Sequence, residues 1–365
     1  MDNNPTDKIY ELIRTTKIVP HKKRQEFLCQ MIGGVIKSRS VVFSEIADKI
    51  DKPIKASSIE RRIQDFFTKV RFDYSQLAVF LLSFLPQRPL VLSIDRTEWD
   101  FGKTQVNVLC AVVSIGKMAV PIYFELLDNK SGNSNAADRI TLFKSLIAAI
   151  GKSRIQMLVM DREFVGQAWL GCGSPPGLKK EKVPFCVRVP KHHSILLASG
   201  KRLWAEEVMS SGNESYYQQN AIVDGVSVNL SLSYGKDGEL LYLIGTTLPQ
   251  TLQPWYKRRW SIEVFFQAIK QRGFNLEDSS LRCIMKYRKL FALVSMAYTI
   301  CWATGIEAGK ANPVRVKKHG YPQYSVFRRG LNLVREFYKQ QISEPLQLAV
   351  DAAWARFGFI YKTVG

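Results

Sequence analysis

The sequence lacks the features that define several common protein classes. Its six cysteines are scattered and form no C-x-x-C pair, so neither a zinc site nor a disulfide framework is indicated and a reducing cytoplasm is expected. The N-terminus, MDNNPTDK, has no apolar signal-peptide core. The longest apolar run, 290–304, is shorter than the roughly 20 residues of a membrane span. These absences favour a cytoplasmic globular protein with no membrane partner, and a buried helix at 290–304.

A nucleotide-binding loop is also missing. The segment IGKS at 150–153 ends like a P-loop, but position 146 is Leu where that motif needs Gly. No G-x-G-x-x-G segment follows a predicted strand. An ATP-driven mechanism is therefore not expected.

Positive charge is abundant and lies mainly at the two ends of the chain. The net charge is +20 and the pI is about 9.7. Residues 1–90 hold 16 Lys and Arg against 10 Asp and Glu, and residues 254–365 hold 19 against 7. The middle, 91–253, is nearly balanced, with 17 against 15. Basic flanks around a neutral centre favour a catalytic domain that its neighbours hold on nucleic acid. The alternative is a basic protein with no polyanionic partner.

The order of predicted elements indicates a mixed α/β protein. Three β-rich runs begin at about residue 90, and an amphipathic helix and a further strand, IQMLVMDREF, follow. This order resembles the core of the ribonuclease H-like fold. We therefore expect a ribonuclease H-like catalytic core at 89–310 with a β-strand insertion at about 191–250. A helical DNA-binding region at 1–88 precedes it, and a basic helical C-terminal region at 311–365 follows.

The N-terminal region is compatible with a helix-turn-helix. VVFSEIADKI and KASSIERRIQDFF have helical spacing, and DKPIK separates them. A small helical bundle that does not recognise DNA would look the same. Lys55, Arg61 and Arg62 are the residues that we expect to contact DNA, through phosphates or base edges alike.

Three acidic residues are candidates for a metal site. Asp95 is expected to end the buried strand LVLSID, Asp161 to end MLVMD, and Glu263 to lie on the first helix after the insertion. An α/β core places its active site at strand ends. Three converging carboxylates repel one another unless cations are present, and Mg²⁺ or Mn²⁺ favours such oxygen ligands. Two such ions can support an in-line displacement at phosphorus. Taken singly, each carboxylate could equally be a cap or a turn residue.

Other acids close to this trio are given a smaller role. Glu98 and Asp100 are expected in a turn beyond the first strand, and Glu163 lies two residues after Asp161. We interpret all three as supporting or surface residues.

The segment 256–273, YKRRWSIEVFFQAIKQRG, carries a specific four-point pattern. Tyr256, Arg259, Glu263 and Lys270 have the spacing of the Y-R-E-K signature, and the sequence resembles the bacterial DDE transposases of insertion-sequence family four, which are related to the transposase of transposon five. LSIDRTEW around Asp95 and MDREF around Asp161 are similar to the two aspartate motifs of that family. The resemblance covers about residues 90–310.

The resemblance implies Mg²⁺-dependent cut-and-paste transposition by a homodimer on paired transposon ends, with double-stranded DNA as the partner at both the transposon end and the target. It implies that Asp95, Asp161 and Glu263 bind the metal ions and that Tyr256, Arg259 and Lys270 hold DNA phosphates. The spacing of these helix residues independently places them on one face. In related enzymes a tryptophan of the insertion stacks near a flipped base. Trp204 lies in the corresponding region, and an ordinary core tryptophan is the alternative.

Two further functions remain open from sequence alone. A ribonuclease H-like nuclease or resolvase would cut DNA without strand transfer, and a domesticated transposase would bind DNA without chemistry. The complete signature favours the active transposase, which in related enzymes passes through a hairpin at the transposon end. Only about 95 residues follow Lys270, so a long dimerisation domain has little room.

Overall fold

The computed structural model of the protein describes residues 4–101, 104–127, 132–172, 177–210, 214–235, 237–318, 320, 322–340 and 342–362. The chain forms two compact units. The first, here called the helical unit, consists of Met1–Pro86, Trp99–Val106 and Phe266–Gly365. The second, the sheet unit, consists of Gln87–Glu98 and Asn107–Phe265.

Side-chain caps explain where several helices begin. Asn4 caps the first helix, since its Oδ1 accepts from Thr6 N at 2.9 Å. Asn135 and Asp138 form a reciprocal capping box at the start of the sixth. The α-helices of the described chain are α1 Pro5–Ile13, α2 Lys22–Ser38, α3 Phe43–Ala47, α4 Ala56–Lys69, α5 Tyr74–Leu82, α6 Ala136–Ile150, α7 Gln167–Leu170, α8 Ala205–Met209, α9 Leu252–Tyr256, α10 Trp260–Gln267, α11 Ile284–Ala311, α12 Val326–Tyr338 and α13 Glu344–Lys362.

One mixed sheet of ten strands is present in the described chain, in the order β3-β2-β1-β4-β5-β10-β9-β8-β6-β7. Strand β4 is parallel to both β1 and β5, and the remaining pairs with a described register are antiparallel. The strands are β1 Leu90–Phe101, β2 Thr104–Ile115, β3 Met118–Leu126, β4 Ile155–Met160, β5 Phe185–Arg188, β6 Ser194–Leu196, β7 Arg202–Trp204, β8 Ser215–Val223, β9 Val226–Tyr234 and β10 Leu240–Gly245.

The middle of the sheet is buried, as the apolar runs of the sequence predict. Met157, Val159 and Cys186 of β4 and β5 are fully buried and pack with Leu252 of α9. Such continuous apolar runs are typical of strands covered on both faces. The same packing fixes α9 against the strands, and α9 is the first of the helices that carry the Y-R-E-K signature.

Helices from both ends of the chain pack together in the helical unit. Lys8 of α1 forms an ion pair with Asp351 of α13, and Thr6 contacts the hydroxyl of Tyr338 at 3.2 Å. Lys37 of α2 lies over the ring of Tyr338, 5.0 Å from its centroid. The division into separate regions at 1–88 and 311–365 stays a prediction, but their described helices share this packing.

Helix α11 is the buried helix that the apolar run predicts. It is long and apolar enough to cross a membrane by length and composition, and 89% of its most apolar window is buried inside the protein. Residues 290–304 all lie within its buried portion. A helix that is buried to this extent belongs to the core of the protein.

Two glycines allow close contact between α11 and α12. A Cβ on Gly330 would lie 1.7 Å from the backbone oxygen of Cys301, and one on Gly305 would lie 2.0 Å from that of Val326. Both neighbours are backbone atoms of packed helices, which have little freedom to move.

We therefore predict that Gly330→Ala destabilises the protein by about 3 kcal/mol, because the added methyl overpacks the helix contact. Gly309→Ala, in the same helix as Gly305, is the control. No atom lies within 4 Å of the added Cβ there, so its higher helix propensity should leave stability unchanged or raise it by up to about 1 kcal/mol. Urea unfolding followed by far-UV circular dichroism measures both, and equal effects of the two substitutions would contradict the contact.

Candidate active site

The two aspartates lie side by side where β1 and β4 stop pairing. The parallel ladder between β1 and β4 ends with Ile94 opposite Met160. Asp95 is the next residue after Ile94, and Asp161 is the next residue after Met160. Asp161 directly follows β4, as predicted. The prediction that Asp95 ends its strand is wrong, because β1 continues to Phe101. Its neighbour β2 extends the sheet past the end of β4.

The same extension corrects the placement of two nearby acids. Glu98 and Asp100 were expected in a turn, yet both lie within β1. The exposed Glu98 and Asp100 side chains alternate with the buried Trp99 side chain, as expected for a strand that packs one face against the core. Both are exposed, which agrees with the supporting or surface role expected for them.

Glu263 reaches this edge of the sheet on α10. Ser261, two residues earlier, donates to Ser114 Oγ of β2 at 2.8 Å, and Ser114 Oγ lies 2.9 Å from Ser93 Oγ of β1. All three hydroxyls belong to buried residues. This chain of hydrogen bonds fixes the start of α10 to the strand that carries Asp95.

Arg259 lies among the three carboxylates and forms an ion pair with each. Its Nη1 is 2.9 Å from Asp95 Oδ2 and 3.5 Å from Asp161 Oδ2, and its Nη2 bonds Glu263 Oε1. The Arg259 side chain is only 11% exposed. Tyr256 completes the cluster by donating its hydroxyl to Asp161 Oδ1 at 2.9 Å. We call these five residues the Arg259 cluster.

Burial shapes the charge states in the Arg259 cluster. It raises the pKa of Asp95 to about 6, although the nearby Arg259 guanidinium acts in the opposite direction. Burial also raises the pKa of Tyr256 to about 12, so its hydroxyl stays protonated and can donate. For Arg259, burial favours the neutral form, but Tyr256 and the carboxylates outweigh it and raise its pKa. One guanidinium among three carboxylates leaves the cluster short of positive charge.

Further arginines lie beside the cluster and were missed in the sequence. Arg188, the last residue of β5, forms a 2.8 Å ion pair with Glu239, and the Tyr256 hydroxyl also raises its pKa through a hydrogen bond. Arg162 also pairs with Glu239, at 2.6 Å. The signal available was position alone, since Arg188 ends a strand and Arg162 directly follows the expected aspartate Asp161. Because both arginines pair with Glu239, together they add one net positive charge beside the cluster.

Lys270 has different neighbours from the rest of the signature. It lies in the π-helical segment Ala268–Arg272, within the helical unit. Its Nζ forms a 2.6 Å ion pair with Glu277 and lies 5.4 Å from the centroid of Trp99. The expected single face assumes one uniform helix, whereas the segment changes from 3-10 at Lys257–Arg259 to α and then to π. Constant angular spacing therefore does not hold from Tyr256 to Lys270.

The remaining predicted DNA-binding residues lie on elements other than those that carry the Arg259 cluster. Trp204 ends the edge strand β7, and six strands separate β7 from β1 in the sheet order. It is 49% exposed, so the alternative of a core tryptophan is wrong. Lys55, Arg61 and Arg62 belong to the helical unit, where Lys55 is the N-cap of α4 and the two arginines lie near the middle of that helix. Arg62 lies over the ring of Phe27, and Arg61 is exposed.

The donor chemistry of the cluster fits a divalent metal. Carboxylate oxygens are the ligands that Mg²⁺ and Mn²⁺ prefer, and three of them converge here on one cationic group. Within the described ranges no group of three Asp, Glu, His or Cys side chains has the spacing of a metal site. The guanidinium lies between the carboxylates and supplies the positive charge that a metal ion would bring.

Comparison with known proteins identifies the family. A family model described as a transposase DDE domain matches residues 86–300, more than half of the chain. The chain therefore belongs to the transposase DDE domain family, and the matched span contains every residue of the Arg259 cluster. A search among curated proteins gives no significant match. Among solved structures, the cryo-EM structure of the piggyBac transposase synaptic complex with hairpin DNA is similar at a TM-score of 0.45 and 12% identity, covering 97% of this chain and 85% of that one.

We predict that Arg259→Ala lowers the free energy of unfolding by about 3–5 kcal/mol in metal-free buffer, because it leaves partly buried carboxylates without their counterion. Arg14→Ala is the matched control, since Arg14 pairs with Glu11 on the surface, where an ion pair contributes at most about 1 kcal/mol. Urea unfolding in the presence of EDTA compares them. Equal losses would show that the Arg259 cluster does not depend on its guanidinium.

Proposed function

We propose that the protein is the DNA transposase of a bacterial insertion sequence. It cuts transposon ends by metal-dependent phosphodiester hydrolysis and joins the freed 3′-hydroxyl to target DNA. The observation that carries the proposal is the convergence of Asp95, Asp161 and Glu263 on Arg259, in a chain of the transposase DDE domain family.

The first four strands support a ribonuclease H-like catalytic core. Strands β1, β2 and β3 are adjacent, helix α6 follows, and β4 returns to pair in parallel with β1. This is the order of elements on which the sequence-based expectation depends. We propose the strands from β6 to β10 as the insertion expected at about 191–250, and they continue the same sheet.

Asp95, Asp161 and Glu263 would hold the metal, Mg²⁺ or Mn²⁺, with two ions in the site. When bound, such ions lower the pKa of an attacking water or 3′-hydroxyl and stabilise the leaving oxygen. Tyr256 holds Asp161 through its hydroxyl and so fixes the direction of that carboxylate. The Ser261 bond to β2 fixes Glu263 in the same way, through the start of α10.

The phosphates of DNA are a second kind of partner for the Arg259 guanidinium. Its guanidinium can make paired bonds to phosphate as it does to carboxylate. Its Nε is buried and has no hydrogen-bond partner among the described residues, so one donor is left for a further oxygen. We propose that Arg259, with Tyr256 and Lys270, binds phosphates near the cleaved end.

Several finer features belong to the proposal and rest on the Y-R-E-K pattern. They are membership of insertion-sequence family four, a hairpin intermediate, a homodimer on paired ends and action in the bacterial cytoplasm. Lys55, Arg61 and Arg62 would contact transposon-end DNA through α4. The exposed ring of Trp204 is available to stack on an unpaired base, which is how base-flipping proteins hold one.

We predict that Asp95→Asn, Asp161→Asn and Glu263→Gln each abolish cleavage and strand transfer while DNA binding persists, since each removes an anionic metal ligand without changing side-chain size. The assay uses labelled DNA from the flanks of the gene, with Mg²⁺ or with EDTA. Glu181→Gln is the control, because Glu181 pairs with Lys152 in an exposed ion pair and its loss should leave both steps intact.

Each of the other outcomes of this assay would indicate a different function for the protein. Cutting without joining by the wild-type protein would indicate a nuclease or resolvase of the same fold. Binding without chemistry in every variant and in the wild type would indicate a domesticated DNA-binding protein. Full activity of Glu263→Gln would remove Glu263 from the site.

A further inference from the structure

We propose that Arg96 and Glu163 form a positioning ion pair that keeps Asp95 and Asp161 at the separation that metal binding needs. This inference rests on the proposed function. Neither residue is assigned a part in metal binding by the Y-R-E-K pattern, and Glu163 was expected only as a supporting or surface residue.

The position of the pair explains why it is needed. Ladder pairing between β1 and β4 stops at Ile94 and Met160, one residue before the two aspartates. After Asp161 the chain leaves the sheet as a 3-10 turn, Arg162–Phe164. Backbone pairing between the strands therefore stops one residue short of the aspartates. Beyond that point side-chain contacts connect the two segments, and besides Arg259, which bonds the two carboxylates themselves, the Arg96–Glu163 pair does so.

Arg96 connects the two segments directly. Its backbone N–H donates to Asp95 Oδ1 at 2.8 Å, while its side-chain Nε donates to Glu163 Oε2 at 3.2 Å. Its Nη1 also bonds Glu98 and donates to Asn107 Oδ1 at 3.2 Å. One residue thus orients the first aspartate and binds the segment that carries the second.

Glu163 is held from the opposite side as well. Its Oε1 accepts from Ser134 Oγ at 2.9 Å, and Ser134 Oγ in turn accepts from Arg139 Nε at 2.9 Å. Arg139 is buried at the start of α6. Both oxygens of Glu163 therefore have protein donors, so the structure assigns it to holding the site in place rather than to metal ligation.

The pair differs from the surface ion pairs in its burial. The Arg96 and Glu163 side chains are 13% and 12% exposed. Lys152 and Glu181, which are joined at the same 3.2 Å distance, are 47% and 33% exposed. Burial and the further bonds to Glu98, Asn107 and Ser134 hold Arg96 and Glu163 in one geometry, whereas an exposed pair leaves its side chains free to move. Lys152–Glu181 is therefore the matched control.

The test is a titration of the full-length protein with Mn²⁺ alone, followed by electron paramagnetic resonance, with a thermal melt of each variant. Removing a residue that orients metal ligands typically lowers metal affinity 10–100-fold. We expect a loss of this size for Arg96→Ala and for Glu163→Ala. The double variant should lose less than the sum of the two single losses, because both substitutions break the bond that Arg96 and Glu163 share. Lys152→Ala and Glu181→Ala should bind Mn²⁺ like the wild type.

Two conservative substitutions separate positioning from charge and from ligation. Glu163→Gln removes the charge but can keep both contacts, accepting from Arg96 and donating to Ser134. Glu163→Asp keeps the charge, but the shorter side chain lacks one methylene and cannot reach both Arg96 and Ser134. Positioning predicts the weaker Mn²⁺ binding for Glu163→Asp. Weaker binding by Glu163→Gln would overturn it in favour of a ligand role, and this comparison stands even if the alanine variants do not fold.

The wild-type titration separates this inference from the proposed function. If the wild-type protein binds Mn²⁺ and every Arg96 and Glu163 variant binds it equally well, the positioning pair is wrong and the proposed function stands. If the wild-type protein binds no Mn²⁺, the metal-dependent function fails, and the positioning role fails with it.

Discussion

Mutual repulsion among three partly buried carboxylates is the constraint on which the site depends. Bringing Asp95, Asp161 and Glu263 together is unfavourable unless positive charge lies between them. In this structure Arg259 provides that charge, with its guanidinium in contact with all three. Burial nevertheless raises the pKa of Asp95, because the loss of hydration outweighs the opposing effect of the Arg259 guanidinium. A site of this kind is suited to divalent cations and to the phosphates that accompany them.

The surrounding fold acts mainly to hold these side chains against that repulsion. The aspartates come from the ends of one parallel ladder, and the buried serines attach the Glu263 helix to the same strands. Tyr256 holds Asp161 from one side, and the Arg96–Glu163 pair acts from the other. Each connection is short in space but joins residues far apart in sequence, so the geometry of the site depends on the whole sheet unit being folded.

Local signals in the sequence predict the helices and strands better than they predict the tertiary contacts between them. The α/β order, the buried helix α11 and the position of Asp161 follow from apolar periodicity and length. The length of β1 does not follow from these local signals, because pairing with β2 continues the strand past Asp95. The Tyr256-to-Lys270 face assumes a uniform helix, whereas local packing produces 3-10 and π turns. Arg188, Arg162 and the Arg96–Glu163 pair act through tertiary contacts that no spacing in the sequence encodes.

A crystal structure of the protein grown with Mn²⁺ and recorded with anomalous scattering would show whether the three carboxylates bind metal. We expect a manganese peak bounded by Asp95, Asp161 and Glu263, with the Arg259 guanidinium moved away from at least one carboxylate. An Arg259 that keeps all three ion pairs, with no manganese at the cluster, would contradict this expectation. The carboxylates would then be a structural ion-pair network, and the chemistry of the protein would have to be sought elsewhere.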